Sequence, residues 1–314
     1  MRPYVYGVDV GGESVKLGLF STNGTLLEKW TFPTRREHGG ESILPDIAAS
    51  VQAHMRSAGI DPGDTEGIGL GVPGPVLEDG TVLRCVNLGW DVFNVPQRLN
   101  GLTGLRVRAG NDANVAALGE MWRGGGRGTR DLVLITLGTG IGAGAVVDGR
   151  LVTGAHGAAG EIGHMPVNEN ETVPCTCGKR GCLEQYASAA GLVTAAVRVL
   201  REHPEQASVL RTAEPLTAKE IFDASAMGDP VARRLTDEVC RLLGRALAAA
   251  ACVLDPELFV IGGGMSRAGL PLLEGIRKYY RSCAFHASRQ TEFRLAELGN
   301  DAGIYGAARL LLEE

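Results

Sequence analysis

Residues 4–20, YVYGVDVGGESVKLGLF, contain two runs of β-branched and aromatic residues joined by a Gly-Gly turn. A third run, from Thr25 to Phe32, follows the turn Asn23-Gly24. Short runs of this kind between turn dipeptides are typical of an antiparallel meander. The pattern recurs over residues 132–152, LVLITLGTGIGAGAVVDGRLV, where Gly138–Gly142 replaces the Gly-Gly turn. Such an internal repeat predicts two domains of like α/β architecture.

The remaining segments alternate between helical and strand periodicity. We predict helices over Glu41–Ser57, Ala113–Trp122, Ala187–Arg201, Thr217–Ala226, Pro230–Leu254, Leu270–Tyr280 and Ala302–Leu312. We predict further strands over Gly67–Val72, Leu105–Arg108, Leu258–Ile261 and Glu292–Glu297. Duplicated α/β halves usually hold their ligand in the cleft between them, so an inter-domain cleft is expected.

The composition argues against nucleic acid and membrane as partners. The 314 residues include 31 basic and 36 acidic side chains, and no basic run stands out. The longest apolar stretch, Ala246–Leu254, is too short to span a bilayer. The amino terminus enters a strand-like run at once, without a secretory leader, and we expect a cytoplasmic protein.

One His and three Cys lie within a short segment of the chain and suggest a metal site. They are His164, Cys175, Cys177 and Cys182. Zn²⁺ takes thiolate and imidazole ligands tetrahedrally, and four protein ligands leave no position for a reactive water. The sequence therefore predicts a structural zinc. Chance clustering and a disulfide are the alternatives, and a reducing cytosol disfavours the second. The remaining cysteines are expected to be inert core residues: Cys85, Cys240, Cys252 and Cys283.

Two carboxylates flank the metal segment, and an Asn-Asp pair precedes a predicted helix. Glu161 and Glu184 would be fixed by the zinc clamp in polar surroundings. Asp112, after Asn111, has two interpretations: a helix N-cap, or a base that accepts a proton from a substrate hydroxyl. Together with His164, these groups form a set suited to a polyhydroxylated ligand.

Three glycine-rich turns suggest a nucleotide site, because glycine lets backbone N–H groups approach phosphate oxygens closely. A plain hairpin turn or connecting loop is the alternative for each turn alone. Asp9 is placed to hold Mg²⁺ through water. The candidate nucleotide-binding residues are Asp9, Gly11, Gly12, Lys16, Gly138, Thr139, Gly140, Gly142, Gly262, Gly263 and Gly264.

These motifs resemble the ROK group of bacterial sugar kinases, repressors and related open reading frames. The resemblance runs from about Tyr4 to the carboxyl terminus. Residues 175–184, CTCGKRGCLE, fit the family pattern C-x-C-G-x-x-G-C-x-E, and residues 154–163, GAHGAAGEIG, fit its approach to the zinc-binding His. Residues 110–122, GNDANVAALGEMW, are similar to the version found in the family's glucose kinases.

The resemblance implies a two-domain fold of the actin and hexokinase type, a duplicated ribonuclease H-like α/β fold. It also implies Asp112 as catalytic base and sugar contacts from Asn111, Asp112, Glu161, His164 and Glu184. The glycine turns at Gly11-Gly12 and Gly138–Gly142 would bind ATP phosphates. One departure is Glu13, where the family usually has Thr; a carboxylate there would repel phosphates unless it binds Mg²⁺ or turns away.

The resulting hypothesis is an ATP- and Mg²⁺-dependent kinase, with a structural zinc, that phosphorylates the 6-hydroxyl of a hexose, glucose being the first candidate. Kinases for N-acetylmannosamine, allose or fructose are the alternatives within the family. A sugar-responsive repressor would need a helix-turn-helix before the first strand, and Tyr4 leaves no room for one. A non-catalytic sugar sensor is the third class. We expect a homodimer or a higher homo-oligomer, and predict domains over residues 1–112 with 299–314 and over residues 113–298.

Overall fold

A computed structural model describes residues 2–312, and seven strands precede residue 112. In chain order they are β1 (Tyr4–Val10), β2 (Ser14–Ser21), β3 (Leu26–Pro33), β4 (Thr65–Val72), β5 (Thr81–Val82), β6 (Phe93–Asn94) and β7 (Val107–Asn111). Five of them form the first sheet, in the order β3-β2-β1-β4-β7, whereas β5 and β6 form a separate two-stranded sheet. Strands β1, β2 and β3 form an antiparallel meander, whereas β4 and β7 continue the sheet in parallel.

A second five-stranded sheet repeats this topology. Its strands are β8 (Leu132–Leu137), β9 (Ile141–Val147), β10 (Arg150–Leu151), β11 (Leu258–Gly262) and β12 (Glu292–Leu295). Their order is β10-β9-β8-β11-β12, and β11 pairs in parallel with both β8 and β12. The same strand order twice along the chain confirms the internal repeat and the duplicated α/β fold.

Among the described residues, seven helices follow the prediction closely, and three more are present, two of them only four residues long. In chain order the helices are α1 (Glu37–Gly40), α2 (Ile43–Ala58), α3 (Val95–Thr103), α4 (Asp112–Arg123), α5 (Glu184–Ala187), α6 (Ala189–Glu202), α7 (Ala218–Ala226), α8 (Pro230–Leu254), α9 (Leu270–Cys283) and α10 (Ala302–Leu312). The longer helix absent from the prediction is α3. Its local signals are the cap Asn94, which accepts a hydrogen bond from Gln97 N at 2.8 Å, and a proline in the first turn. Within residues 2–312, no helix has both the length and the apolar character that a bilayer crossing requires.

Helix α10 packs directly on the first sheet. A Cβ on Gly69 of β4 would collide with the backbone of Ala307, and a Cβ on Gly7 of β1 would collide with the carbonyl group of Ile304. Only glycine permits so close an approach of helix to strand. The chain's last described helix thereby becomes part of the same core as its first strand.

The chain divides into two compact units. Among the described residues, the first unit comprises 2–130, 144–160 and 297–312, and the second comprises 131–143 and 161–296. This division assigns residues 113–130 and 144–160 to the first unit, whereas the sequence-based division places them in the larger domain. The boundaries at 112/113 and 298/299 remain a prediction.

Candidate active site and metal centre

Strand β7 passes into helix α4 through two adjacent polar residues. Asn111 has an extended conformation, with φ −62° and ψ 144°, and its Oδ1 accepts a hydrogen bond from Asn114 N at 3.1 Å. Asn111 is therefore the N-cap of α4. Asp112 is the first helical residue, so the interpretation of Asp112 as the cap is wrong.

The Asp112 carboxylate is held at the start of α4 and is partly exposed. Its Oδ1 accepts hydrogen bonds from Ala113 N at 2.7 Å and from Asn111 Nδ2 at 3.0 Å. Asn111 Nδ2 also donates to the carbonyl oxygen of Gly74 at 3.1 Å. The bonds from the Ala113 amide and the Asn111 carboxamide orient the carboxylate without burying it.

The carboxyl ends of the parallel strands bring Asp9 to the same edge of the first sheet as Asp112. Asp9 on β1 lies opposite Gly71 on β4, which in turn lies opposite Gly110 on β7. A Cβ on Gly71 would lie 3.7 Å from Asp112 Cα and 3.9 Å from Asp9 Oδ1. Two predicted site residues thus flank one glycine at the edge where ligands bind in open α/β sheets.

Asp9 and Lys16 form an ion pair on neighbouring strands. Lys16 Nζ lies 3.4 Å from Asp9 Oδ2, and Lys16 also donates to the carbonyl oxygen of Asn300 at 3.2 Å. Burial raises the pKa of Asp9, and the nearby Lys16 charge opposes that rise. The pair places one carboxylate and one cation beside the first glycine turn.

Some of the predicted phosphate-binding glycines have no structural reason to be glycine. Gly12, Gly138 and Gly264 lack a positive φ, and a Cβ on any of them would meet no neighbouring described atom within 4 Å. Strain and packing therefore do not account for these glycines, whereas the close approach of a ligand would. Gly263 differs, because its φ is 80° and a Cβ there would lie close to the Leu137 backbone.

The other residues of these turns are held by local contacts. Gly11 N donates to the carbonyl oxygen of Ser14 at 3.0 Å, and Gly138 N donates to that of Gly140 at 3.0 Å. The Gly142 carbonyl oxygen accepts from the Thr136 hydroxyl at 3.2 Å. Thr139 lies in the second glycine turn, between Gly138 and Gly140. Gly262 is the last residue of β11.

Glu13, the departure from the family pattern, lies in the first glycine turn. Its side chain is exposed, and its carbonyl oxygen accepts from Thr34 N at 3.0 Å. The Thr34 hydroxyl also donates to the Gly11 carbonyl oxygen at 2.7 Å. Thr34 therefore fixes the backbone of the first glycine turn through two hydrogen bonds, whereas the Glu13 side chain is exposed to solvent.

In the second unit, the three predicted sugar contacts lie next to one another. His164 Nε2 is 3.7 Å from Glu161 Oε2, and His164 Nδ1 is 3.6 Å from Glu184 Oε1. The Glu161 side chain is 43% exposed, whereas that of Glu184 is 16% exposed. A Cβ on Gly140 would lie 2.7 Å from Glu184 Oε2, so the second glycine turn adjoins this carboxylate.

The four predicted metal ligands converge on one point. One ligand atom from each of His164, Cys175, Cys177 and Cys182 lies within 4.8 Å of all the others. Cys177 Sγ and Cys182 Sγ are 3.6 Å apart, and Cys175 Sγ is 3.8 Å from His164 Nδ1. Tetrahedral Zn²⁺ with Zn–S bonds of about 2.3 Å requires ligand separations of roughly 3.6–3.8 Å. The cluster fits a structural Zn²⁺.

Backbone hydrogen bonds hold the segment with the three cysteines in a compact loop. Cys175 N donates to the Lys179 carbonyl oxygen at 2.7 Å, and Gly178 N donates to that of Cys175 at 2.9 Å. Gly178 and Gly181 have φ of 85° and 72°, which side chains rarely adopt. These two glycines therefore permit the tight turns of the short ligand loop.

One side chain of the site was not predicted, and two cysteines outside the site are not buried as expected. Thr176, between the first two cysteines, donates its hydroxyl hydrogen bond to Glu184 Oε1 at 3.1 Å. Its position inside the C-x-C motif was the available signal. Cys85 and Cys240 are buried as expected, but Cys252 and Cys283 are exposed, because each lies on the outer face of its helix.

Comparison with known proteins agrees with this arrangement. The profile described as ROK family matches residues 5–314. The chain is 42% identical to a glucokinase of Halalkalibacterium halodurans, covering 100% of this chain and 96% of the relative. It is 38% identical to a glucokinase of Thermotoga maritima, covering 98% and 96%.

A solved structure is also similar to this chain over nearly its whole length. It is a ROK family glucokinase from Streptomyces griseus in complex with glucose and AMPPNP. The TM-score is 0.77 at 35% identity, with 98% of each chain covered. A match over nearly the whole chain, in sequence and in structure, means that this protein belongs to the ROK family and has its actin/hexokinase-like fold.

Proposed function

We propose that this protein is an ATP-dependent hexose kinase that transfers a phosphoryl group to the 6-hydroxyl of glucose. The main support is the Asp112 carboxylate, which is partly exposed at the ligand-binding edge of the first sheet. Asn111 is the N-cap of α4, so Asp112 does not serve as the cap. Full-length relatives that are glucokinases support the choice of reaction and of sugar.

In this proposal, Asp112 takes the proton from the 6-hydroxyl as the oxygen attacks phosphorus. Phosphoryl transfer passes through a loose transition state with charge on the peripheral oxygens, so positioning and charge neutralisation matter more than basicity. The Asn111 carboxamide, bonded to Asp112 and to the Gly74 carbonyl oxygen, keeps the carboxylate oriented toward the hydroxyl.

Glu161, His164 and Glu184 are proposed to bind sugar hydroxyls. Carboxylates accept hydrogen bonds from hydroxyl groups, and a ligand that buries these bonds gains both affinity and orientation. The zinc cluster would hold His164 and, through the hydroxyl of Thr176 beside the ligand Cys175, the Glu184 carboxylate. Zn²⁺ supplies rigidity here and no reacting oxygen, because all four ligand positions belong to the protein.

The phosphates of ATP are proposed to lie against the open glycines. Gly12, Gly138 and Gly264 leave backbone unshielded by side chains, and backbone N–H groups bind phosphate oxygens well. Asp9 would hold Mg²⁺, which neutralises phosphate charge when it is bound. Lys16 contributes a cation beside Asp9.

The test is an ADP-release assay over a panel of hexoses with purified protein. We expect glucose to give the highest kcat/KM among glucose, N-acetylmannosamine, allose and fructose. Another sugar at the top of the panel would overturn the substrate assignment while keeping the reaction. If no sugar releases ADP but glucose still binds in calorimetry, the non-catalytic sensor replaces the kinase.

Two accompanying proposals concern the cellular location and the oligomeric state of the protein. We propose a cytoplasmic location and assembly as a homodimer or higher homo-oligomer. Several large apolar side chains of the second unit are exposed and would gain from burial in an assembly: Met227, Val253, Leu270 and Phe285. Sedimentation equilibrium that gives the monomer mass of 33.0 kDa at micromolar concentration would rule out a stable oligomer.

A further inference from the structure

A cavity of about 850 Å³ lies entirely within the first unit, beside the edge strand β7. Its walls come from β7, from the first turn of α4, from the turn between β9 and β10, and from the end of α10. Asp112, Asp9 and the glycine turns are not among the lining residues. The cavity is large enough for a ligand of sugar phosphate size.

The cavity is rich in positive charge. Four arginines and two acidic residues line it, which leaves an excess of two positive charges: Arg108, Arg130, Arg150 and Arg309 against Glu78 and Asp148. Arg108 donates to the Leu310 carbonyl oxygen at 2.8 Å, and Arg130 pairs with Asp148. The guanidinium groups of Arg150 and Arg309 form no hydrogen bond or ion pair with another residue of the range 2–312. Arginine in such surroundings is suited to a phosphate.

A buried acceptor lines the same cavity. Asn114, in the first turn of α4, is only 2% exposed, and its Oδ1 is buried without a hydrogen-bond partner among the described residues. Buried polar atoms are nearly always hydrogen-bonded, so an orphaned carboxamide oxygen indicates a missing donor. Asn114 is one of the lining residues, and a rotation of its side chain toward the cavity would let a ligand hydroxyl provide that donor.

We propose that this cavity is a second, non-catalytic ligand site, and that it binds a sugar phosphate. The phosphate contacts Arg150 and Arg309, and a sugar hydroxyl donates to Asn114 Oδ1. The choice of glucose 6-phosphate as the ligand to test rests on the proposed function, because it would be the product. Asn111, the cap of α4, shares the cavity wall, so occupancy would act on the helix that Asp112 begins.

Calorimetric titration with glucose 6-phosphate tests the site in protein already saturated with glucose and a non-hydrolysable ATP analogue. Under these conditions the catalytic site is filled, and we expect one glucose 6-phosphate per chain to bind. Arg150→Gln and Arg309→Gln should each weaken this binding by roughly tenfold or more, since each removes a charged hydrogen bond. Arg36→Gln is the matched control, because Arg36 is an exposed cation of the same unit outside the cavity, and it should bind like wild type.

Inorganic phosphate and glucose alone separate the parts of the ligand. Both should bind the cavity at least tenfold more weakly than glucose 6-phosphate, and Asn114→Ser should reduce that preference. Absence of binding to the saturated protein, or equal affinity in wild type and both arginine variants, would overturn the proposal. Inorganic phosphate binding as tightly as glucose 6-phosphate would overturn the sugar phosphate assignment. Because these titrations need no turnover, their failure is distinguishable from loss of kinase activity.

Discussion

Asn111 caps the helix that Asp112 begins, and the same carboxamide donates a hydrogen bond to the Asp112 carboxylate at 3.0 Å. Helix capping and the proposed proton acceptance thus belong to two adjacent side chains. Asn111 Oδ1 binds the free amide of Asn114, and Asn111 Nδ2 binds Asp112 Oδ1. The two functions can therefore be removed separately by mutation.

Substitution of Asn111 by Asp should separate stability from activity. Asp caps helices about as well as Asn, so Asn111→Asp should melt close to wild type, whereas Asn111→Ala should lose roughly 0.5–2 kcal/mol. Both variants lose the donor to Asp112, and the Asp variant also places a second negative charge beside it. We expect both to lose most of the wild-type kcat. Denaturant unfolding and steady-state kinetics check this, and wild-type turnover in Asn111→Asp would show that the bond to Asp112 is unimportant.

Removal of one thiolate should release the zinc. Wild-type protein should contain about one Zn²⁺ per chain, and Cys177→Ala should lower metal content, melting temperature and activity together. Cys283→Ala is the matched control, because Cys283 is also exposed but lies outside the cluster, and it should change none of the three. Elemental analysis and thermal melts give the result. An active wild-type preparation without zinc would contradict the metal assignment.

Glu120 of α4 should be important for stability. Its side chain is fully buried and accepts hydrogen bonds from Gly125 N at 2.8 Å and from Glu297 N and Leu298 N at 3.0 Å each. Glu120→Gln turns an amide group toward these donors and should lower the free energy of unfolding by roughly 2–4 kcal/mol. The exposed Glu238→Gln should cost about 1 kcal/mol or less. Equal effects in urea unfolding would refute this role.

The carboxylate of Glu13 should affect ATP and not glucose. If it lies near bound phosphates, Glu13→Thr should lower the KM for ATP by roughly a few-fold, because one like charge is removed. The KM for glucose should stay within error. Glu41→Thr removes the same charge from another exposed position of the first unit and serves as control. An unchanged KM for ATP in Glu13→Thr would mean that the side chain points away from the donor.

The features that were predictable from sequence are those set by neighbours along the chain. The zinc ligands and their glycine turns lie within one short segment, and the bounds of α8 and α10 agree with the predicted ones. Helix α3 escaped prediction, since it is only nine residues long and contains both a proline and a glycine. The Asn111 cap was assigned one residue too late, because both Asn and Asp are good caps and only the backbone angles separate them.

The arginine-lined cavity was not predictable, because its walls come from distant parts of the chain. Arg108 and Leu310, which are joined by a hydrogen bond, are 202 residues apart in sequence. The orphaned Oδ1 of Asn114 is likewise visible only once the neighbours of α4 are in place. Motifs report local geometry, whereas cavities depend on how the helices and turns pack around the sheet.

The kinetics of Asp112→Asn test the central claim most directly. A general base commonly contributes roughly 10²–10⁴-fold, so kcat should fall within that range. Glucose affinity by calorimetry should change only slightly, because Asn keeps a hydrogen-bonding group of the same shape, and the melting temperature should stay near wild type, because Asn111 remains the cap. Turnover within a few-fold of wild type would contradict the assignment of Asp112 as the catalytic base.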